Sequence, residues 1–273
     1  MRRPWCGARV ARRDVPRRRR ILAIGWLAMM TLVAPVASAQ EGGASRAVPS
    51  GDQVLDRFVE VTGGRAAHDS IRTRVVWTTL TLPAQEITLA VTLYQARPNR
   101  QRTLVESPLV GRIESGVCDG VAWELSTTGG PRLKQGAEKE DALRDALFDG
   151  MARWRDAYVA AEVTGVDTVG GKPCHRVVLT PGAGRPRTAY FDIASGLIAR
   201  LDVTVETPAG TATFQSLPGD YRREGAILMS HRNEVTAMGQ RRVAVVDSVA
   251  LNRQLPAERF DMPAEVRKLL PSK

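Results

Sequence analysis

The sequence predicts an α+β protein: a strongly curved antiparallel sheet with helices packed across its concave face. Three observations carry that reading. Apolar and polar residues alternate through many short runs separated by Gly-, Pro- and Asn-rich turns. Two segments switch to a helical period, each with one apolar face that only this sheet can cover. Finally, the chain has 273 residues, 43% apolar and 25% charged, which excludes a disordered chain and a polytopic membrane protein.

Residues 40–50 are small and polar and read as a flexible lead-in to a domain spanning 51–273. The first element is a helix over 52–62. Ser50 and Gln53 form a capping-box pair, Val54, Leu55, Phe58 and Val59 share one face, and Gly63-Gly64 ends it. A short turn of helix over 66–71 follows. Alternation then begins, clearest where Ile87, Leu89, Val91 and Leu93 interleave with Thr88, Ala90, Thr92 and Tyr94. Strands are expected near 74–82, 87–94, 100–107, 110–118 and 120–125. A second group is expected near 160–168, 173–180, 186–193, 197–206, 210–217, 227–236 and 241–251. Arg97-Pro98-Asn99, Asp119-Gly120, Gly170-Gly171 and Ser195-Gly196 supply turns between them. Many strands with short connections argue for a sheet that coils strongly or partly closes. Between the two groups, Leu143, Leu147, Met151, Trp154 and Tyr158 recur every three or four positions, predicting helix over 138–158. Glu138, Glu140 and Asp141 suit its first turn, and Gly150 is a point at which it could divide.

Charge is unevenly placed. The formal net charge is +10, yet residues 1–39 hold nine Arg and one acid, Asp14, so the remainder carries only about +2. Those 39 residues have the layout of an export signal. Arg17 to Arg20 precede an apolar run over 21–36, and Ala37-Ser38-Ala39 forms a small-x-small cleavage site before Gln40. Arg18-Arg19 also matches a twin-arginine export signal, so the export route stays open. Cys6 leaves with the leader. Cys118 and Cys174 remain in a compartment where disulfides persist, and their pairing is left open.

No chemistry-bearing motif stands out. There is neither a Gly-x-Ser-x-Gly elbow nor a Gly-x-Gly-x-x-Gly after a strand. Gly170-Gly171-Lys172 is followed by Pro173 and reads as a hairpin turn. His68, His175 and His231 lack metal-ligand spacing, and the carboxylates are scattered, so no metal or cofactor is expected. A hydrolase would need Cys174, His175 or His231 and an acid to meet in space. With balanced charge and few aromatics, nucleic-acid binding is not expected.

Several segments together resemble one family. They are the leader, the helix end from Val59 that closes in Gly63-Gly64, the Cys118-Asp119-Gly120-Val121-Ala122-Trp123 corner and the helical insertion. The turn from Tyr190 to Ile198 and the ending Phe260-Asp261-Met262-Pro263 complete the set. Residues 50–265 resemble the LolA-like superfamily, in particular its uncharacterised outer-membrane-lipoprotein-sorting-type members. The resemblance implies an unclosed β-barrel with helices as a lid over an apolar cavity. It also implies a non-enzymatic role toward an acyl chain, lipid or lipoprotein, with an envelope protein as a second kind of partner. A periplasmic or secreted location, without membrane integration after cleavage, would follow. The side chains expected to line such a cavity are Leu89, Val91, Leu93, Trp123, Leu147, Met151, Trp154, Phe191, Leu201 and Phe214. Three readings follow: an exported carrier, a sensor or interaction module with a filled core, and an envelope hydrolase.

Overall fold

A computed structural model of the protein describes residues 48–109, 111–207 and 210–271. The expected leader over 1–39 and most of the lead-in lie outside the described residues.

Helix α1 (Gly51–Val61) starts where the capping box sets it: Gln53 N–H donates to Ser50 Oγ, and the Ser50 N–H donates to Gln53 Oε1 at 2.8 Å. Its apolar face is buried, with Leu55 inaccessible to solvent. Helix α2 (Gly64–Asp69) follows directly. Six strands come next: β1 (Thr73–Leu82), β2 (Ile87–Ala96), β3 (Arg100–Ser107), β4 (Gly111–Cys118), β5 (Val121–Ser126) and β6 (Gly130–Leu133). A cover segment contains α3 (Gly136–Asp145) and α4 (Trp154–Ala157). Seven more strands complete the sheet: β7 (Ala160–Val169), β8 (Lys172–Thr180), β9 (Arg187–Asp192), β10 (Ile198–Thr207), β11 (Gly210–Glu224), β12 (Ile227–Ala237) and β13 (Gln240–Leu251). A 3₁₀ turn (Ala257–Phe260) and α5 (Ala264–Arg267) end the described chain.

All thirteen strands form one antiparallel sheet in the order β6-β5-β4-β3-β2-β1-β13-β12-β11-β10-β9-β8-β7. Each half is a meander of hairpins, and the halves join in the middle, where Arg74 lies opposite Leu251 and Val76 opposite Val249. The two edges, β6 and β7, are neighbours along the chain, and the cover segment runs from one to the other. The result is an open sheet with helices, as an unclosed barrel requires. Both edges carry protection against further pairing. Strand β6 has four residues including Pro131 and is met by α5. Strand β7 is interrupted by a register shift between Val163 and Gly165, and Arg176 Nη2 donates to the Thr164 carbonyl at 3.2 Å. Gly51 approaches β7 so closely that a Cβ there would fall 2.1 Å from the Ala161 carbonyl oxygen, which excludes a larger residue.

The helix expected over 138–158 is shorter than the apolar stripe suggested. It stops at Asp145, turns through 146–153 and resumes for one turn at Trp154. Asp149 has φ +54°, a left-handed conformation that no helix interior accommodates. Strand β11 also runs on to Glu224, past the expected end near 217. Cys118 and Cys174 are both free thiols on separate strands, so they do not pair.

Candidate functional site

Ladder register decides which side chains share a face, because directly opposed residues point the same way. Leu89, Val91 and Leu93 stand opposite Leu80, Thr78 and Val76. Val91 is matched by Val105 on β3, which is matched by Ile113 on β4. Across the central junction the same face carries Val246, Val249 and Val235. Beyond them it carries Phe214, Leu201, Ala189 and Phe191. This is the inner face: it receives α1 and the cover segment.

The structure brings nine of the sequence-predicted lining residues to this face or its cover. Trp154 and Phe191 sit in one buried cluster with Val54, Leu55, Phe58 and Val59 of α1, and Leu147, Met151 and Leu201 pack against it. Phe58 meets Phe191 edge-on, ring centroids 5.8 Å apart. Leu89, Val91, Leu93 and Phe214 lie away from that cluster and remain only half-buried. Trp123 is a correction. It pairs with Gly116, in line with Arg102 and Tyr94, and so belongs to the outer face. There its ring lies where a Cβ on Gly116 would be, 2.5 Å from its nearest carbon, and Arg102 sits 5.8 Å over it. The C-terminal segment lies on this outer side, with Arg259 stacked on Tyr94. Alternation marks two faces of a strand without saying which is concave, and Trp123 falls on the wrong side of that ambiguity.

Beneath the cover the inner face holds a cavity of about 330 Å³. Its apolar wall includes Phe58, Leu147, Met151, Ile227 and Met229, and its polar wall is a connected network the sequence did not reveal. Arg74 Nη1 contacts Asp149 Oδ1 at 2.9 Å, while Arg74 Nε and Nη2 donate to Gln95 Oε1 at 3.0 and 2.8 Å. Gln95 in turn donates to Gln101. His68 Nδ1 lies 3.4 Å from Asp149 Oδ2, and its Nε2 lies 3.1 Å from Thr62 Oγ1. Burial acts to raise the Asp149 carboxyl, but His68, Arg74 and Arg97 outweigh it and hold its pKa below the ordinary carboxylate range. Arg74 and Arg97 both stack on Phe148, 5.1 and 5.0 Å from its centroid. The network therefore fastens the turn of the cover to β1 and α2. Asp149-Gly150, a turn-forming pair inside an otherwise helical stripe, is the sequence signal that could have pointed to it.

Thr62, His68 and Asp149 have the outline of a nucleophile, base and orienting acid. The chemistry does not follow, because the Thr62 hydroxyl donates its proton to the Phe58 carbonyl at 2.8 Å and is 1% exposed. Cys174 is no better placed. Burial, then the nearby Asp192, push its thiol pKa up, which disfavours the thiolate, and His231 is engaged with Glu224 at 3.0 Å on β12. Among the described residues no group of His, Cys, Asp and Glu could hold a metal, and no helix is long and apolar enough to cross a membrane.

No family model matches the sequence, and no curated protein matches it. Solved structures do match in shape. A DUF1329 family protein from Desulfovibrio piger superposes with a TM-score of 0.56 at 13% identity, over 80% of this chain and 100% of that one. A LolA superfamily protein from Nitrosomonas europaea gives 0.53 at 12% identity, over 79% and 99%. A putative outer membrane lipoprotein-sorting protein domain from Vibrio parahaemolyticus gives 0.53 at 11%, over 76% and 97%. At these identities the likeness is one of fold, and the fold is LolA-like.

Proposed function

We propose that the protein is an exported carrier that shelters an acyl chain, borne by a lipid or lipoprotein, against the inner face of its sheet. One observation supports the reading above all. Leu80, Leu89, Val91, Leu93, Val105 and Ile113 point inward on adjacent strands, yet all remain half-buried. An inward aliphatic surface that the described residues leave partly open to water gains about 0.8 kcal/mol for each methylene a ligand buries there. Polar contacts are not required for such a ligand to bind. The lipoprotein-sorting domain among the fold neighbours makes a lipoprotein acyl chain a fitting cargo. The export-signal layout read in residues 1–39 supports delivery of the mature domain to the periplasm or outside the cell.

The test is titration of delipidated protein with a fluorescent fatty acid. Saturable binding that weakens when Val91 is replaced by Glu supports the carrier. The second reading, an interaction module with a filled interior, draws on the other half of the sheet, where Val177, Leu179 and Ala189 are wholly buried. Absence of saturable binding would select it.

A further inference from the structure

A second cavity lies on the far side of Leu147. Arg72 immediately before β1, Arg97 at the end of β2 and Arg153 at the entrance to α4 are distant in sequence. The central strands and the cover turn bring them to one space of about 450 Å³, floored by Leu147 and Phe148. Two of the three guanidinium groups are held in place. Arg97 Nε donates to the Ile71 carbonyl at 2.7 Å and Nη2 to the His68 carbonyl at 2.9 Å, with its plane over Phe148. Arg153 Nε donates to Asp156 at 2.8 Å. Among the described residues, no hydrogen bond or ion pair engages the Arg72 side chain, and no hydrogen bond engages Arg97 Nη1 or Arg153 Nη2.

The charge does not balance within the protein. Asp156 is the one carboxylate of the lining. Asp69, 3.6 Å from Arg97 and 3.9 Å from Arg153, lies near as well, and Asp149, within the field of Arg97, is paired with Arg74 at 2.9 Å. With the Arg74–Asp149 pair counted, four arginines stand against three carboxylates, which leaves an excess positive charge beside an apolar floor, where attraction for an anion is screened less than in open water. Guanidinium N–H groups without a protein acceptor, on three residues that line one space, suit a group with several terminal oxygens better than a single carboxylate.

We propose that this cavity binds a phosphate monoester group. The assignment goes beyond the carrier reading and does not depend on it. A phosphate could arrive free in solution or as the headgroup of an amphiphile. The volume exceeds what a bare phosphate fills and lies in the range of small-molecule sites.

Calorimetric titration of the full domain with dodecyl phosphate, dodecanol and inorganic phosphate separates the possibilities, with Arg72→Ala as the variant. Arg72 is exposed and unpaired, so the variant keeps its fold, which a melting curve verifies. Dodecyl phosphate should bind at least about tenfold more tightly than dodecanol, as expected for hydrogen bonds to a charged group. Arg72→Ala should remove most of that preference and leave dodecanol binding unchanged. Competition by inorganic phosphate would assign the site to the free anion. A preference without such competition would assign it to a headgroup. Equal affinity for the two amphiphiles together with no binding of phosphate overturns the proposal, as does an undiminished preference in Arg72→Ala. Phosphate binding with no response to dodecanol would sink the carrier reading and leave this site standing. Dodecanol binding as tight as dodecyl phosphate would do the reverse.

Discussion

The β7–β10 half of the sheet and the β1–β4 half carry the same alternation of apolar and polar residues, yet they use it differently. In the first half α1 is laid directly on the inner face. Val177, Leu179, Ala189 and Phe191 are buried to 1% exposure or less beneath Leu55 and Phe58. In the second half no helix among the described residues packs on Leu80, Leu89, Val91, Val105 or Ile113, and the same residue types stay half-exposed. The covered half is a core in the ordinary sense. Residues of the open half contribute less to stability because folding takes them only part of the way out of water. What they retain is the capacity to bury something else.

The largest expected effect tests the covered side. Phe191→Ala should cost about 3–5 kcal/mol in urea denaturation, since it opens a void against Phe58 that α1 cannot collapse to fill. If Leu93→Ala costs as much, the two halves are equivalent and the contrast fails. Asp149→Asn comes next. Asn tolerates the positive φ at this position, so the change isolates the charge, and leaving Arg74 buried without its partner should cost about 3 kcal/mol. The sign with pH is fixed by the lowered native pKa of Asp149. Its contribution is complete above the ordinary carboxylate range and is lost as pH falls through the native value. Melting temperature measured against pH should therefore fall in acid less steeply for Asp149→Asn than for the parent.

Smaller effects sharpen the comparison. Ser50→Ala removes one arm of the cap that sets α1 over the covered half, and about 1 kcal/mol should be lost in thermal unfolding. Val91→Ala should change stability by only about 0.5 kcal/mol, because its side chain is never fully withdrawn from solvent. Fatty-acid affinity should nonetheless drop measurably. A variant that loses stability and keeps affinity would place Val91 in the core.

Local signals proved readable where local physics decides. The Ser50–Gln53 cap, the Gly63-Gly64 stop and the alternating runs correspond to α1 and to twelve of the strands. Strand β6 escaped because Gly130-Pro131-Arg132-Leu133 shows no alternation and exists through its pairing with β5. The 138–158 stripe was legible as a buried surface but not as a broken helix. The break follows from the pairing of Asp149 with Arg74, two residues far apart in the chain. The same limit applies to the sites. That Leu89, Val91 and Leu93 share one face could be read from β2 alone, whereas which face is concave, and on which side Trp123 falls, depends on successive ladders. The polar wall of His68, Arg74, Gln95 and Asp149, like the three-arginine cavity, exists only after the meanders have been joined.

That joining has a kinetic consequence. Every hairpin in either meander closes a short loop, but the seam between β1 and β13 brings together residues from opposite ends of the described chain. Loop-closure entropy makes such a contact slow to form, and it must precede the rewards that depend on it. Until β13 has been synthesised and zipped onto β1, two separate half-sheets each offer an unpaired, apolar-faced margin. The newly made chain thus passes through an aggregation-prone stage, and the last strand to emerge is the one that ends it.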